Sequence, residues 1–332
     1  MDRIAVVGAG SWGTTVAALA ARSTPTLLWA REPGLAEEMN QTRENRQYLP
    51  GLILPEGLTT TADLGAVVEG SSAVVMAVPS HGFREIYSRV ARHLGEEVPV
   101  LSLTKGIEQD TLATMTQIVA ETSPHKDRSL VGVMTGPNLA TEVAAGQPTA
   151  TVIAMADQVT ARRLQDVFMG PTFRVYTHDD VVGCELGGAL KNVMAIAAGM
   201  SDGLGFGDNT RATLITRALA ELTRLGVALG GRPSTFAGLA GMGDLIATCI
   251  STASRNHQVG VGLASGKTLT EVVDEMRMVA EGVKTTRAVL DLAKRSQIEM
   301  PIAAHVGQVL YDDLDPKEAV LRLMTREAKQ ED

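Results

Sequence analysis

Short apolar runs alternate with longer amphipathic stretches through the first half of the chain. The apolar runs predict strands at residues 4–7, 26–29, 73–78, 98–103, 129–134 and 150–154. The stretches between them predict helices at residues 14–21, 34–42, 83–94 and 111–121, and a helix at 157–169 and a late strand at 173–176 follow. Near-continuous apolar strands separated by helices are typical of a parallel sheet covered on both faces, so this half is expected to be an α/β unit.

The pattern changes after about residue 181. A run of small apolar residues at 183–200 predicts a buried helix, and residues 210–229 carry apolar side chains at steps of three and four, the spacing of an amphipathic helix. Further helices, separated by Gly, Pro or Asp, are predicted at residues 239–248, 257–264, 269–277, 285–296, 301–311 and 316–326. Because no strand is predicted in this half, we expect it to be all-α.

A glycine motif lies between the first predicted strand and the first predicted helix. Gly8, Gly10 and Gly13 form the pattern GxGxxG, in which the first glycine permits a tight turn, the second lets the backbone approach a pyrophosphate, and the third lets helix and strand pack closely. The phosphates would lie at the N-terminus of the helix. The motif therefore indicates a dinucleotide site, and the predicted fold is α/β: an N-terminal Rossmann-type parallel-sheet domain, residues 1–181, followed by an all-α C-terminal domain, residues 182–332.

The end of the second predicted strand bears on which dinucleotide is bound. Ala30, Arg31 and Glu32 follow it. A small residue followed by Arg favours the 2′-phosphate of NADP(H), because a guanidinium can bind it through two hydrogen bonds and an acid would repel it. In the alternative, Arg31 is a solvated loop residue and Glu32 bonds the ribose hydroxyls of NAD(H). The sequence favours NADP(H) and leaves use of both coenzymes open.

Two lysines are candidate catalytic residues, with Lys105 as a second cation near Lys191. Lys191 lies within an apolar helical run, and Lys105 follows the predicted strand at 98–103. Burial and a second nearby cation both lower the pKa of a lysine towards the working range of a general acid and base, which is the role predicted for Lys191. The alternative is a structural lysine whose amine reaches solvent or forms a salt bridge, for example with Glu185.

Three polar residues of the second half allow two interpretations each. Asp244, an isolated acid among apolar residues, is either the N-cap of a following helix or a substrate contact. Arg255 and Asn256 offer a planar guanidinium and an amide donor that suit a phosphate, or they belong to a solvated loop.

The six histidines have no metal-ligand spacing and are interpreted as surface or loop residues. Cys184 and Cys249 are interpreted as core residues. We expect no bound metal.

Composition and charge narrow the classes of protein. The chain has 332 residues, 45% of them hydrophobic, which is enough for two cores. A net charge of −8 and 3% aromatic residues argue against a nucleic-acid partner. No run reaches the ~18 apolar residues of a membrane span, and no signal peptide is evident. We expect a soluble, cytoplasmic protein without an integral membrane segment.

Eleven short segments, taken in order along nearly the whole chain, match one enzyme family. They are residues 6–14, 78–81, 104–106, 136–140, 147–149, 186–193, 199–207, 238–245, 254–256, 281–282 and 299–302. With these segments the chain resembles the NAD(P)-dependent glycerol-3-phosphate dehydrogenase family of bacteria. The segments around Lys191 and at 254–256 are more specific to that family than the glycine motif.

The resemblance implies a reaction and a set of site residues. Dihydroxyacetone phosphate would be reduced reversibly by NAD(P)H to sn-glycerol 3-phosphate for phospholipid synthesis, by a homodimer, with Lys191 as the proton donor and acceptor and Lys105 orienting the reacting oxygen. Besides the glycines of the motif, the implied cofactor contacts are Ser11, Trp12, Arg31, Lys105, Ala140, Arg255, Val279 and Glu281. The implied substrate contacts are Lys105, Gly136, Asn138, Lys191, Asp244, Ser254, Arg255 and Asn256. Many members have Ser or Thr where this chain has Asn138, so we expect altered substrate contacts there without loss of activity.

Two other functions remain open at this point. A 3-hydroxyacid dehydrogenase of related architecture would also combine a Rossmann domain, a helical domain and a catalytic lysine, with a carboxylate in place of the substrate's phosphate. A regulator that senses NAD(P)H without turnover would need no proton donor, and the presence of Lys191, Lys105 and the 254–256 segment argues against it.

Overall fold

The computed structural model describes residues 1–276, 280–327 and 330. The strands are β1 (Ile4–Val7), β2 (Thr26–Trp29), β3 (Glu44–Asn45), β4 (Leu49–Ile53), β5 (Leu58–Thr61), β6 (Ala73–Met76), β7 (Val100–Ser102), β8 (Val131–Thr135), β9 (Thr149–Met155) and β10 (Phe173–His178). The helices of the first half are α1 (Ser11–Ala20), α2 (Pro33–Thr42), α3 (Leu64–Val68), α4 (Ser80–Val90), α5 (Met115–Thr122), α6 (Ala140–Ala144) and α7 (Gln158–Phe168), with a 3₁₀ turn at Arg128–Leu130.

The second half continues with helices only, within the described residues. They are α8 (Val181–Gly203), α9 (Asp208–Ala228), α10 (Pro233–Phe236), α11 (Asp244–Ile250), α12 (Arg255–Ala264), α13 (Leu269–Glu275), α14 (Glu281–Arg295), α15 (Pro301–Tyr311) and α16 (Pro316–Met324), and a π-helical turn, Leu239–Gly243, precedes α11. The predicted order, a Rossmann-type sheet followed by an all-α region, is confirmed.

Eight strands form one sheet in the order β10-β9-β8-β7-β6-β1-β2-β5. All neighbours are parallel except β8 and β9, which pair antiparallel with Thr135 opposite Val152. The predicted parallel sheet is therefore confirmed for every pair of neighbouring strands except β8 and β9. The connection from β8 to β9, residues 136–148, holds only the five-residue helix α6. A parallel crossover usually contains a full helix that carries the chain back along the sheet, and here the chain re-enters the sheet at the end where β8 finishes.

Strand β5 and the hairpin of β3 and β4 were not predicted from the sequence. Strand β5 has the sequence LTTT and forms the edge of the sheet beside β2, where its residues alternate between buried and more exposed positions. A short, threonine-rich edge strand lacks the apolar run that marks the central strands. The hairpin pairs outside the main sheet.

Helix α8 is the core of the second half. Nineteen of its 23 residues are buried, and α9, α11, α12, α14 and α15 pack against it. It is long and apolar enough to cross a membrane, but 89% of its most apolar window is buried inside the protein. A helix that is apolar on every side is typical of such a buried core position. Cys184 on α8 and Cys249 on α11 are both buried, as predicted.

Candidate active site

The glycine motif joins β1 to α1 and leaves room for a phosphate. Gly8 has a φ of +119°, and a Cβ there would lie 2.5 Å from the carbonyl oxygen of Ala77. A Cβ on Gly13 would lie 1.9 Å from the carbonyl oxygen of Gly8, whereas a Cβ on Gly10 would meet no atom within 4 Å. The first and third glycines therefore permit close packing, and the second borders open space at the N-terminus of α1. These residues fit a dinucleotide, whose pyrophosphate would occupy that space.

Trp12, on the first turn of α1, is half-buried and packs against Phe173, with ring centroids 6.4 Å apart. Its indole Nε1 is buried and has no hydrogen-bond partner among the residues that the structure describes. A buried donor without a partner is unfavourable. This orphaned N–H beside the glycine motif is consistent with the cofactor contact that the resemblance implied for Trp12.

Two more residues predicted to contact the cofactor, Ser11 and Ala140, lie on or beside α1. Ser11 donates a hydrogen bond of 2.5 Å to the carbonyl oxygen of Tyr48. Ala140 begins α6, and its carbonyl oxygen lies 3.4 Å from the hydroxyl of Thr15 on α1. Val279 lies outside the described residues.

Arg31 and Glu32 follow β2 and are both exposed. Their charged groups are 3.8 Å apart, and 78% of the Arg31 side chain is exposed. The guanidinium therefore lies in solvent at the strand end where an adenosine ribose binds in this fold. The structure leaves both residues accessible to a coenzyme.

Lys105, Lys191 and Asp244 form a cluster at the meeting point of the sheet and the helical half. The Lys191 amine donates a hydrogen bond of 2.6 Å to Asp244 Oδ1, and the Lys105 amine donates one of 2.6 Å to Asp244 Oδ2. Only 7% of the Lys191 side chain and 2% of the Asp244 side chain are exposed. One carboxylate thus holds two ammonium groups side by side, and the Lys105 amine also donates to the carbonyl oxygen of Gly136 at 3.0 Å.

A glycine on α8 makes room for this cluster. A Cβ on Gly188 would lie 2.7 Å from the Thr135 hydroxyl and 3.4 Å from Lys105 Cγ. The long side chain of Lys105 therefore crosses the surface of α8 at a point where that helix has no side chain. Gly188 is one turn before Lys191. The same stretch of α8 therefore leaves space for the Lys105 side chain at Gly188 and bears the Lys191 side chain one turn later.

The electrostatics of the cluster set the protonation state of Lys191. Burial lowers the pKa of its ammonium from 10.5 to about 8; the carboxylate of Asp244 opposes this shift and the charge of Lys105 adds to it. An amine with a pKa of about 8 exchanges its proton near neutral pH, as a general acid and base must.

The contacts of Asp244 and of Lys191 differ from two that the sequence suggested. Asp244 is not the N-cap of α11: it is the first residue of that helix, which Gly243 precedes, and its carboxylate bonds the two lysines. The ion pair of Lys191 is with Asp244 and not with Glu185. The Glu185 carboxylate accepts hydrogen bonds from the backbone N–H of Thr116, at 2.9 Å, and from its hydroxyl, at 2.5 Å.

A chain of amides connects the start of α12 to the lysine cluster. Asn256 accepts a hydrogen bond of 2.8 Å from the backbone N–H of Gly282 and donates one of 2.9 Å to the Asn192 side chain. Asn192 in turn donates to the carbonyl oxygen of Lys105 at 3.2 Å. Asn256 is thus buried and already bonded on both ends of its amide, and it fixes the position of α12 relative to Lys105.

Ser254 and Arg255 lie at the first turn of the same helix. Ser254 is the N-cap of α12 and accepts a hydrogen bond from the backbone N–H of His257. Arg255 is exposed, and Glu281 attracts its charge. The Glu281 carboxylate accepts hydrogen bonds from the backbone N–H of Ser80, at 3.2 Å, and from its hydroxyl. The predicted anion-binding segment and Glu281 are therefore neighbours across the junction with the sheet.

Asn138 lies at the edge of the lysine cluster, two residues after Gly136. Its amide nitrogen donates a hydrogen bond of 2.8 Å to the Thr151 hydroxyl on β9. Its carbonyl Oδ1 is buried and has no hydrogen-bond partner in the described part of the chain. The antiparallel pairing of β8 and β9 brings Thr151 to this position.

Sequence reasoning missed two side chains of the site. The Thr248 hydroxyl accepts a hydrogen bond from the Lys191 amine and donates one of 2.7 Å to the carbonyl oxygen of Asp244. Its position four residues after Asp244 on a predicted helix is the signal that could have identified it, since residues at that spacing share a helix face. Asn192, adjacent to Lys191, stands out in the sequence as an amide within a run of small apolar residues, but its role could not be predicted because its partners Lys105 and Asn256 are far away in the chain.

Comparison with known proteins assigns the chain to a family. Two family models match, the N-terminus of NAD-dependent glycerol-3-phosphate dehydrogenase over residues 3–161 and the C-terminus of the same enzyme over residues 180–321. The glycerol-3-phosphate dehydrogenase [NAD(P)+] of Geobacter sp. strain M21 is 53% identical over 99% of each chain, and one from Sphingopyxis alaskensis is 54% identical over 92% of this chain and 91% of its own.

Solved structures agree with this assignment. The crystal structure of glycerol-3-phosphate dehydrogenase from Coxiella burnetii superposes with a TM-score of 0.92, at 39% identity, and covers 98% of this chain and 99% of its own. These matches confirm the resemblance found in the sequence. The chain belongs to the NAD-dependent glycerol-3-phosphate dehydrogenase family.

Proposed function

We propose that this chain reduces dihydroxyacetone phosphate to sn-glycerol 3-phosphate with NAD(P)H, and oxidises it in the reverse direction, with Lys191 as the proton donor and acceptor. The observation that supports this assignment is the buried Lys191 amine, held 2.6 Å from Asp244 at the junction of the sheet and the helices. The product supplies phospholipid synthesis.

Proton transfer follows from the chemistry of a ketone reduction. When bound, the nicotinamide supplies the hydride that reaches the carbonyl carbon, and negative charge then develops on the carbonyl oxygen. Lys191, as an ammonium, stabilises and protonates that oxygen; as a neutral amine it removes the hydroxyl proton in the oxidation. Asp244 orients the amine through its hydrogen bond. Lys105, bonded to the other oxygen of Asp244, adds a second positive charge beside the reacting oxygen.

The remaining substrate contacts follow from the position of each residue. Arg255 is exposed at the N-terminus of α12, where a guanidinium and the backbone N–H groups of a first helical turn suit a phosphate. Ser254 and Asn256 flank it. Asn138 presents a buried acceptor without a partner among the described residues, which suits a substrate hydroxyl. Gly136 contributes the carbonyl oxygen that orients the Lys105 amine.

Replacing Arg255 with alanine tests the phosphate contact. We expect KM for dihydroxyacetone phosphate to rise by about 10–100-fold, because a charged hydrogen bond to the phosphate is lost, while kcat changes much less. Arg322→Ala on α16, which removes a surface arginine paired with Glu318, is the matched control and should leave KM unchanged. Steady-state kinetics measure both, and an unchanged KM in Arg255→Ala would refute the phosphate contact.

We infer a preference for NADPH over NADH from the exposed Arg31 guanidinium, with Glu32 able to bond the ribose hydroxyls of NADH. The contacts proposed for either coenzyme are, from the first half of the chain, the glycine motif with Ser11, Trp12, Lys105 and Ala140. From the second half they are Arg255, Val279 and Glu281.

One assay tests the function and the coenzyme together. The purified protein is given dihydroxyacetone phosphate, or a 3-hydroxy acid in the oxidising direction, and consumption or formation of the reduced coenzyme is followed by absorbance with NADP(H) and with NAD(H). We expect turnover with dihydroxyacetone phosphate and a higher kcat/KM for NADPH than for NADH. Turnover of the 3-hydroxy acid alone would assign the related dehydrogenase activity, and coenzyme binding without any turnover would assign a sensor.

Domain organisation, assembly and location complete the proposal. We infer a division into a nucleotide-binding domain, residues 1–181, and a helical domain, residues 182–332, with the site between them. A homodimer is supported by the exposed apolar side chains of Met242, Ile246 and Ile250, which follow one another at four-residue intervals in the helical half. We infer a cytoplasmic location for this reaction.

A further inference from the structure

The segment 199–207, which contributes to the family resemblance, has no part in the chemistry proposed above. It contains Asp202, in the last turn of α8. The Asp202 carboxylate accepts a hydrogen bond of 2.8 Å from Nε2 of His257 on α12. Only 5% of the His257 side chain and 20% of the Asp202 side chain are exposed. The interpretation of every histidine as a surface or loop residue is therefore wrong for His257, which is buried within a helix that begins earlier than the sequence predicted.

The second oxygen of Asp202 is bonded from a third helix. Arg211 on α9 donates from Nε at 3.2 Å and from Nη2 at 3.0 Å to Asp202 Oδ1. Its remaining nitrogen, Nη1, donates to the exposed Asp208 at 2.8 Å. Asp202 on α8 is thus bonded through one oxygen to α12 and through the other to α9. We call the three residues Asp202, His257 and Arg211 the brace.

The brace acts on two helices whose backbones are in contact. A Cβ on Gly199 would lie 2.0 Å from the carbonyl oxygen of His257, and a Cβ on Gly260 would lie 2.1 Å from the carbonyl oxygen of Ile196. The two helices are therefore closely packed along this line, backbone against backbone. The largely buried ion pair of the brace adds a directional contact to the Asn192–Asn256 hydrogen bond, and together they fix the position of α12 along α8.

That position determines the geometry of the proposed site. Lys191 is on α8, three turns before Asp202, and Arg255 and Asn256 immediately precede His257 on α12. A shift of α12 along α8 would change the distance between the Lys191 amine and the Arg255 guanidinium, and so the length of substrate that spans them. A phosphate that no longer reaches Arg255 loses the same binding energy in the ground state and in the transition state, so such a shift raises KM and leaves kcat little changed.

We propose that Asp202, His257 and Arg211 are positioning residues that hold segment 254–256 at the distance from Lys191 which a three-carbon phosphate ester requires. This inference rests on the proposed function. The brace is then a determinant of specificity. It raises kcat/KM for the phosphorylated ketone and does not change kcat/KM for the same ketone without its phosphate, because that molecule makes no contact with Arg255.

The test compares Asp202→Asn with a matched control, Asp208→Asn. Both variants remove one negative charge from a partner of Arg211, but Asp208 is exposed and makes no hydrogen bond to α12 in the described structure. For each protein kcat and KM are measured with dihydroxyacetone phosphate, and kcat/KM is measured with unphosphorylated dihydroxyacetone at fixed NADPH. The Kd for NADPH and Tm are recorded alongside.

We expect Asp202→Asn to raise KM for dihydroxyacetone phosphate by about tenfold, with kcat and the kcat/KM for dihydroxyacetone within about twofold of wild type. Asp208→Asn should match wild type in every parameter. Arg211→Lys, which keeps the charge and loses the two-nitrogen contact, should change KM in the same direction by a smaller factor, and it provides the test if Asp202→Asn does not fold.

An unchanged KM for dihydroxyacetone phosphate in the folded variants would overturn the inference. An equal loss of kcat/KM for both substrates would overturn it as well, because it would show a general structural effect. Wild-type protein that does not reduce dihydroxyacetone phosphate at all would refute the proposed function itself, and that result is obtained before any variant is compared.

Discussion

Replacing Lys191 with methionine is expected to lower kcat for dihydroxyacetone phosphate reduction by about 10³-fold, with the Kd for NADPH within about twofold of wild type. The reason is that Lys191 is the proposed proton source, while methionine fills a similar volume in the apolar surroundings of α8. Steady-state kinetics measure the first quantity and coenzyme fluorescence the second.

Lys126 provides a matched control for that substitution. It is equally buried, and its amine donates to the carbonyl oxygens of Gly95, at 3.3 Å, and Glu96, at 2.9 Å, away from the proposed site. Lys126→Met should lower Tm, because it also removes a bonded buried amine, and should leave kcat within about twofold. Near-normal turnover in Lys191→Met would refute the role assigned to Lys191.

Replacing Asp244 with asparagine is expected to lower both activity and stability. The change leaves two ammonium groups beside each other without their shared counter-charge, so the pKa of Lys191 falls further and the amine loses its proton at neutral pH. We expect kcat/KM for dihydroxyacetone phosphate to fall by about 10²-fold at pH 7. Breaking a buried ion pair on one side also lowers the free energy of unfolding by about 3–5 kcal/mol.

Asp180→Asn separates the two effects. Asp180 is also buried, and it is the N-cap of α8, where it accepts hydrogen bonds from Gly183, Arg232 and Thr235 and contacts no lysine amine in the described structure. The Asp180→Asn substitution should lower the free energy of unfolding by about 1 kcal/mol, while kcat/KM for dihydroxyacetone phosphate stays within about twofold of wild type. Equal losses of kcat/KM in Asp244→Asn and Asp180→Asn would contradict a specific role for Asp244.

Features set by neighbouring residues could be predicted from the sequence. The strand, glycine turn and helix around Gly8–Gly10–Gly13 depend on a few adjacent residues, and so does the buried position of Lys191 within an apolar helix. The direction of β9 could not be predicted, because an apolar run has the same pattern whichever way the strand runs.

Features that depend on distant residues were missed or misassigned. Asp244 is 139 residues from Lys105 and 53 from Lys191. An acid before a short apolar helix has the local pattern of an N-cap, and only the tertiary fold shows that it pairs with two lysines. The burial of His257 was missed for a similar reason, since the helix begins at Arg255 and its partner Asp202 is 55 residues away.

The central claim, that Lys191 gives and takes the proton, is tested most directly by the pH dependence of kcat/KM in the two directions. With a pKa of about 8, Lys191 is protonated below that pH and neutral above it. We expect kcat/KM for dihydroxyacetone phosphate reduction to be level below about pH 8 and to fall above it. We expect kcat/KM for glycerol 3-phosphate oxidation to rise up to about pH 8 and to be level above it. Profiles that change in the same sense in both directions, or that show no break near pH 8, would contradict it.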